Sequence, residues 1–161
     1  MKIAIIGNGN VGSGLVNVLS KTKHEVGTYG RADDVANAVH EADIVILATP
    51  FEAAAEIADQ ADFTGKIVID VSNPVTEDFS ALQLGTTTSA AEAIAALVPG
   101  ASVVKAFNTI FAQHYAEDLK LDGQPLQTFV ASDDETARDT VKTLAAEAGF
   151  EPVDAGPLFT A

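Results

Sequence analysis

The sequence predicts an α/β domain of Rossmann type, with a doubly wound, mainly parallel sheet and helices on both faces. Short runs rich in β-branched residues alternate with alanine-rich segments of helical period, which is the order of strands joined by helical crossovers. A glycine-rich turn, Gly7-Asn8-Gly9-Asn10-Val11-Gly12, follows the first of these runs. The length of 161 residues fits one domain, and we expect residues 1–161 to form it.

The strands and helices are predicted from apolar periodicity and from capping residues. The predicted strands cover residues 3–6, 25–29, 43–48, 66–70, 102–107 and 127–131. Two helices are predicted at 32–40 and 89–97, and three more begin at Asn10, at Pro50 and at Ser132 or Asp133. The inward positions of these three are predicted to be Val11, Leu15, Val18 and Leu19; Phe51, Ala54, Ala55 and Ile57; and Val141, Leu144, Ala145 and Ala148. Gly149 is predicted to end the last helix.

Composition excludes several classes of function. Nine Lys plus Arg stand against 23 Asp plus Glu, a formal net charge of −14. Nucleic acid and anionic membranes need a basic surface, so neither is expected as a partner. The absence of cysteine excludes disulfides, thiolate catalysis and sulfur-bound metal, and three scattered histidines predict no metal site. No apolar run is long enough for a membrane span or a secretory signal, which predicts a cytoplasmic protein.

The glycine-rich turn has the spacing of a dinucleotide-binding loop, and it lies between a strand and an amphipathic helix. Gly7 permits the tight turn, Gly9 lets the backbone approach a pyrophosphate, and Gly12 lets helix and strand pack closely. The N–H groups at the start of the helix would then face the anion. The alternative is an ordinary strand-to-helix turn that uses glycine for its positive φ.

The tip of the second strand indicates which dinucleotide is bound. NAD sites usually carry a carboxylate there, whereas this chain reads Thr28-Tyr29-Gly30-Arg31. A guanidinium can pair with a 2′-phosphate, so Arg31 favours NADP over NAD. Arg31 could instead be a solvated loop residue, and the carboxylates of Asp33 and Asp34 are near enough to leave the strictness of the preference open.

Four further segments support a family resemblance when they are taken with the glycine loop. They are Ala48-Thr49-Pro50, Asp70-Val71-Ser72-Asn73-Pro74, Val104-Lys105-Ala106-Phe107-Asn108-Thr109 and Asp154-Ala155-Gly156-Pro157-Leu158. Together they resemble the F420-dependent NADP oxidoreductases and related dinucleotide-binding enzymes, and the chain also looks similar to the cytosolic reductase domain of the STEAP metalloreductases. The resemblance runs through essentially the whole chain.

The resemblance implies an enzyme that transfers hydride between NADP(H) and a deazaflavin (F420) or flavin-type acceptor. The family's 2′-phosphate site falls on Gly30 and Arg31, where many members have Ser at the first position. The resemblance places Ala48, Thr49, Pro50, Asn73 and Pro74 beside the nicotinamide ribose and ring. It places Lys105, Asn108 and Thr109 toward the acceptor, which would be a small molecule. A homodimer is also possible.

The residues themselves allow other interpretations. Asn73-Pro74 could form a simple turn, Lys105 could extend its charge from a strand end to solvent, and Asn108-Thr109 could cap a helix. His114 and Tyr115 suggest catalysis, but a pair on a helix surface is the preferred interpretation.

Two other functions remain open from the sequence. Members of the family usually continue beyond the Asp-Ala-Gly-Pro segment, and in the F420 enzymes that part helps shape the acceptor pocket. The extension is apparently absent here, and this favours a non-catalytic NADP(H)-binding sensor or assembly module. An imine- or β-hydroxyacid-reductase-like enzyme would need a large helical domain for its substrate.

Overall fold

The computed structural model describes residues 1–76, 78, 80–84, 87–116 and 119–161. Its strands are β1 (Lys2–Ile6), β2 (Glu25–Tyr29), β3 (Ile44–Leu47), β4 (Ile67–Asp70), β5 (Ser102–Lys105), β6 (Lys120–Leu121), β7 (Gln124–Pro125), β8 (Gln127–Ala131) and β9 (Glu151–Gly156). Its α-helices are α1 (Asn10–Leu19), α2 (Val35–Glu41), α3 (Ala54–Ala58), α4 (Ala90–Leu97) and α5 (Glu135–Glu147). Short 3₁₀ turns cover Phe51–Ala53, Ala112–Ala116 and Leu158–Thr160.

Seven of these strands form one sheet in the order β2-β1-β3-β4-β5-β8-β9. Neighbouring strands are parallel except for β5 and β8, which pair antiparallel where Lys105 lies opposite Ala131. The predicted Rossmann-type, mainly parallel sheet is therefore confirmed. The chain order reverses direction across the sheet at β1, and in such folds ligands bind beyond the carboxyl ends of the strands at the reversal.

Both faces of the sheet are buried beneath helices. Ile3 and Ile5 of β1 point into a core that includes residues of α1 and α5, whereas Ala4 and Ile6 point into a second core with residues of α2, α3 and α4. Successive residues of a strand face opposite sides, so burial on both sides requires the unbroken apolar runs seen in the sequence.

The positions of three caps correct the prediction. Gly9, not Asn10, is the N-cap of α1, and Asn10 is its first residue. Asp34 caps α2 by accepting a hydrogen bond from the N–H of Asn37, so this helix begins later than predicted. Asp134 caps α5, because Ser132 donates its hydroxyl to Val103 O and Asp133 accepts from Leu158 N–H.

The predicted inward faces are largely confirmed, with four exceptions. Ala55 is exposed, while Val11, Phe51 and Ala148 are half-buried. Gly149 ends the last helix with a φ of 101°, as predicted.

Three strands were not predicted. β9 extends the sheet beside β8, and β6 and β7 form a pair of two-residue strands between the 3₁₀ turn at Ala112–Ala116 and β8. β9 lacks an apolar run: it begins Glu151-Pro152 and contains Asp154. Its strand character comes from pairing with β8 rather than from local sequence. No helix in the described part of the chain combines the length and the apolar character that a membrane crossing requires.

Candidate functional site

The glycine loop joins β1 to α1 at the carboxyl edge of the sheet. Gly7 has a φ of 113°, and a Cβ there would lie 2.3 Å from Ala48 O. A Cβ at Gly12 would lie 2.0 Å from Gly7 O, whereas a Cβ at Gly9 would meet nothing within 4 Å. Gly7 and Gly12 are therefore required by the fold of the loop itself. Gly9 leaves open space above the backbone, as approach by a pyrophosphate requires.

The start of α1 leaves backbone donors for an anion. Gly9 caps the helix without a side-chain hydrogen bond, and the first N–H groups of any helix have no acceptor within it. Ser13 donates its hydroxyl to Asn8 O at 3.2 Å, and Gly7 N–H donates to Tyr29 O at 2.7 Å. The second of these bonds ties the loop to the end of β2.

The tip of β2 turns tightly around Arg31. Asp33 N–H donates to Gly30 O at 3.1 Å, and Gly30 N–H donates to Asp33 Oδ2 at 2.6 Å. The side chain of Arg31 is exposed, and its guanidinium has no hydrogen bond or ion pair to any described residue. An exposed cation without a partner among the described residues can receive an external anion.

Two adjoining cavities follow the carboxyl edge from β2 to β4. The first, of about 280 Å³, lies between the glycine loop, the β2 tip and the start of α3, and Arg31 and Thr49 are on its wall. The second, of about 300 Å³, is lined by residues that include Asn10, Val11 and Asn73. Both share Gly9 and the predicted segment Ala48-Thr49-Pro50, so they form one continuous groove.

A buried ion pair lies beneath the ends of β4 and β5. Asp70 and Lys105 are register partners on these parallel strands, and Lys105 Nζ donates to Asp70 Oδ2 at 2.7 Å. The same ammonium donates to Ser72 O, while Ser72 N–H donates to Asp70 Oδ1 at 2.8 Å. The Lys105 charge is therefore buried and does not extend to solvent. It holds the segment that carries Asn73.

Two amides join the loops that follow β4 and β5. Asn73 Nδ2 donates to Asn108 O at 3.0 Å, and Asn108 Nδ2 donates to Asn73 Oδ1 at 3.1 Å. Phe107, which directly precedes Asn108, has a φ of 62°, an uncommon conformation for a residue with a side chain. Its N–H donates to the buried Thr128 Oγ1, and its ring packs 5.4 Å from that of Phe150. These contacts hold the turn that brings Asn108 to Asn73.

A third cavity, of about 520 Å³, begins at Asn73. Pro74, Lys105 and Asn108 are on its wall, together with Phe159, whose side chain is 74% exposed. Glu92 also lines it, and the hydrogen bonds from the N–H and hydroxyl of Ser89 lower the pKa of this carboxyl below its usual value. Glu92 is therefore a helix-capping carboxylate at neutral pH rather than a proton donor.

The structure places most of the predicted residues around these three cavities. Gly12 and Thr109 are the exceptions: Gly12 is buried against Gly7, and Thr109 is exposed in the turn after β5. The prediction that His114 and Tyr115 form a surface pair is wrong for Tyr115, which is fully buried with its hydroxyl donating to Phe107 O at 3.3 Å. Burial raises the pKa of Tyr115, so it is no acid at neutral pH.

Sequence reasoning gave no role to Asp70, Ser72 or Phe159. The signal for Asp70 was present, since a charge that ends an apolar strand needs a buried partner. Identifying Lys105 as that partner required the pairing of β4 with β5. No sequence pattern pointed to Phe159.

Comparison with known proteins agrees with this architecture. Residues 28–74 match the family model described as NADP oxidoreductase, coenzyme F420-dependent. Metalloreductase STEAP3 of Rattus norvegicus is 32% identical over an alignment of 175 residues, gaps included. The alignment covers 99% of this chain but only 35% of that protein. The chain thus covers about a third of this curated relative.

Two solved structures cover most of both chains. A hypothetical protein, SMa0349 of Sinorhizobium meliloti, superposes with a TM-score of 0.85 and 30% identity, over 98% of this chain and 86% of that one. A predicted F420-dependent NADP reductase of Arthrobacter sp. FB24 gives a TM-score of 0.84 and 26% identity, over 99% and 86%. In its fold and in the segment that the family model matches, the chain is similar to the F420-dependent NADP oxidoreductases.

Proposed function

We propose that this chain binds NADP(H) along the groove and transfers hydride between it and a deazaflavin (F420) or flavin-type acceptor. The observation that carries the proposal is the succession of three neighbouring cavities along one edge of the sheet. Arg31 lies at one end, the glycine loop lies in the middle, and the Asn73–Asn108 pair separates the groove from the third cavity.

The residues fit the cofactor at each part of the groove. Gly9 leaves room for a pyrophosphate, and the N–H groups at the start of α1 would hold its charge. Arg31 would pair with the 2′-phosphate. Thr49, Pro50 and Asn73 would enclose the nicotinamide ribose and ring. These assignments extend to Gly7, Asn8, Asn10, Val11 and Ala48, which line the same groove. Gly12 would contribute by letting α1 pack against Gly7.

The chemistry of the site matches hydride transfer between two rings. NADPH supplies the hydride, so the protein has mainly to position the two ring systems and exclude water. Asn73 and Asn108 offer neutral donors and acceptors and fix one another. Lys105 would act on the acceptor side through the segment it holds. The third cavity, with the ring of Phe159 on its wall, is the proposed acceptor site.

Titration with NADPH and NADH, followed by nicotinamide fluorescence, tests the cofactor assignment. We expect NADPH to bind more tightly, and Arg31→Ala to weaken NADPH binding about ten- to a hundredfold while leaving NADH little changed. Lys21→Ala, a surface charge at the far end of α1, is the matched control. Equal or absent binding of the two cofactors would contradict the assignment.

Oxidation of NADPH in the presence of F420, FMN or FAD tests the reaction. Turnover with one of them supports the proposed hydride transfer and identifies the acceptor class. Tight NADPH binding without turnover, together with a change of oligomeric state, would instead indicate a sensor or assembly module.

A further inference from the structure

We propose that Asp33 is a second specificity determinant of the cofactor site, one that opposes Arg31 and lets the chain accept NAD(H) as well as NADP(H). The inference rests on the proposed dinucleotide site. It names a residue that the cofactor assignment leaves without a role, and it predicts that the preference for a 2′-phosphate is moderate.

The first observation is the position of the Asp33 carboxylate. Its Oδ2 accepts from Gly30 N–H at 2.6 Å, so the negative charge is held against the residue that precedes Arg31. Gly30 and Arg31 both line the first cavity. A 2′-phosphate that pairs with Arg31 would therefore lie near this carboxylate, and the Gly30 N–H that could otherwise serve the phosphate is already in use.

The second observation is that the Asp33 carboxylate has an oxygen, Oδ1, that can still accept a hydrogen bond. Among the described residues, nothing donates a hydrogen bond to Asp33 Oδ1, and the side chain is exposed. A ribose 2′-hydroxyl is a donor that a carboxylate oxygen accepts well, whereas a phosphate is mainly dianionic at neutral pH and is repelled by a carboxylate. The same group that repels NADP(H) would thus favour NAD(H).

The third observation separates Asp33 from its neighbour. Asp34 Oδ1 accepts from Asn37 N–H at 3.0 Å as the cap of α2, so this carboxylate serves the helix. From sequence the two residues were equivalent candidates. In the structure only the Asp33 carboxylate accepts a hydrogen bond from a residue on the wall of the cavity.

The neighbouring charges make the preference between NADP(H) and NAD(H) sensitive to a single carboxylate. Glu56 also lines the first cavity and adds a negative charge there. Arg31 is the only cation among the described residues of its wall. The whole chain has a formal charge of −14 and does not attract an anionic ligand over distance. Removing one carboxylate beside the phosphate should therefore have a measurable effect.

The test compares Asp33→Asn with Asp34→Asn in the full chain. Both variants remove one negative charge, and each asparagine keeps an oxygen that can accept the existing backbone hydrogen bond. The Asp33 variant thus retains the turn around Arg31 but loses the charge. Calorimetric titration with 2′,5′-ADP and with 5′-AMP measures the two ribose forms separately, and thermal unfolding verifies that both variants are folded.

We expect Asp33→Asn to raise the ratio of 2′,5′-ADP to 5′-AMP affinity about three- to tenfold above that of Asp34→Asn, because only its charge lies beside the phosphate. A ratio for Asp33→Asn that matches Asp34→Asn would overturn the inference while leaving the cofactor site intact. If the unmodified chain binds neither nucleotide, nor NADPH, the proposed site itself is wrong and the inference fails with it.

Discussion

Lys105 and Asp70 form an ion pair of 2.7 Å at the ends of two adjacent parallel strands, with both side chains almost completely buried. The pair also holds the backbone of Ser72 through the Lys105 ammonium and Asp70 Oδ1. Because Asn73 follows directly, the edge of the proposed site is built on this interaction.

Lys105→Met should therefore destabilise the chain strongly. It leaves the Asp70 carboxylate buried without its counter-ion, a loss of about 3–5 kcal/mol in the free energy of unfolding. Lys2→Met, which breaks an exposed pair with Glu41, should change stability little. Urea unfolding measures both, and equal effects would show that the buried pair is dispensable.

The glycines of the loop should separate folding from binding. Gly12→Ala places a Cβ against Gly7 O and should lower the unfolding temperature, whereas Gly9→Ala meets nothing and should leave it nearly unchanged. Gly9→Ala should nevertheless weaken NADPH binding, because the methyl group occupies the space above the loop. Calorimetry of unfolding and NADPH titration check this, and unaltered NADPH binding by Gly9→Ala would count against the assignment.

Phe159 should affect the acceptor and not the cofactor. Its ring is exposed on the wall of the third cavity and is absent from the first two. Phe159→Ala should raise KM for the acceptor severalfold through lost ring contact, with NADPH affinity unchanged. Phe129→Ala, another exposed phenylalanine, is the control. An equal KM effect from both variants would argue against the acceptor site.

The Asp134 cap of α5 should make the stability of the chain depend on pH in the acidic range. Hydrogen bonds from the Ser102 hydroxyl and Ala137 N–H hold the pKa of Asp134 below its ordinary 3.8. Its contribution is therefore complete above that value and is lost as the pH falls through the lower folded-state pKa. The stability gap between the native chain and Asp134→Asn should stay constant from about pH 7 to about pH 5 and narrow as the pH falls below about 4. A gap independent of pH, by thermal unfolding, would contradict this.

Local sequence was sufficient wherever one segment carries the whole signal. The apolar runs predicted β1 to β5 and β8, and the spacing of Gly7, Gly9 and Gly12 predicted a loop whose geometry the structure bears out. Prediction from local sequence failed where an element depends on a residue that is distant in the chain. β9 is a strand because β8 lies beside it. Asp134 is the cap of α5, because the side chains of Ser132 and Asp133 are bonded to Val103 and Leu158.

The sequence alone thus determined strands β1 to β5 and β8, the glycine-rich loop and the family resemblance, because periodicity and glycine conformation are properties of a few consecutive residues. Only the tertiary structure decided how the strand-end residues are used. It buried Lys105 against Asp70, joined Asn73 to Asn108, and gave Asp33 and Asp34 different partners. Each of these depends on which strands and turns become neighbours, and hydrogen bonds and ion pairs form only between groups that the fold brings within about 3 Å.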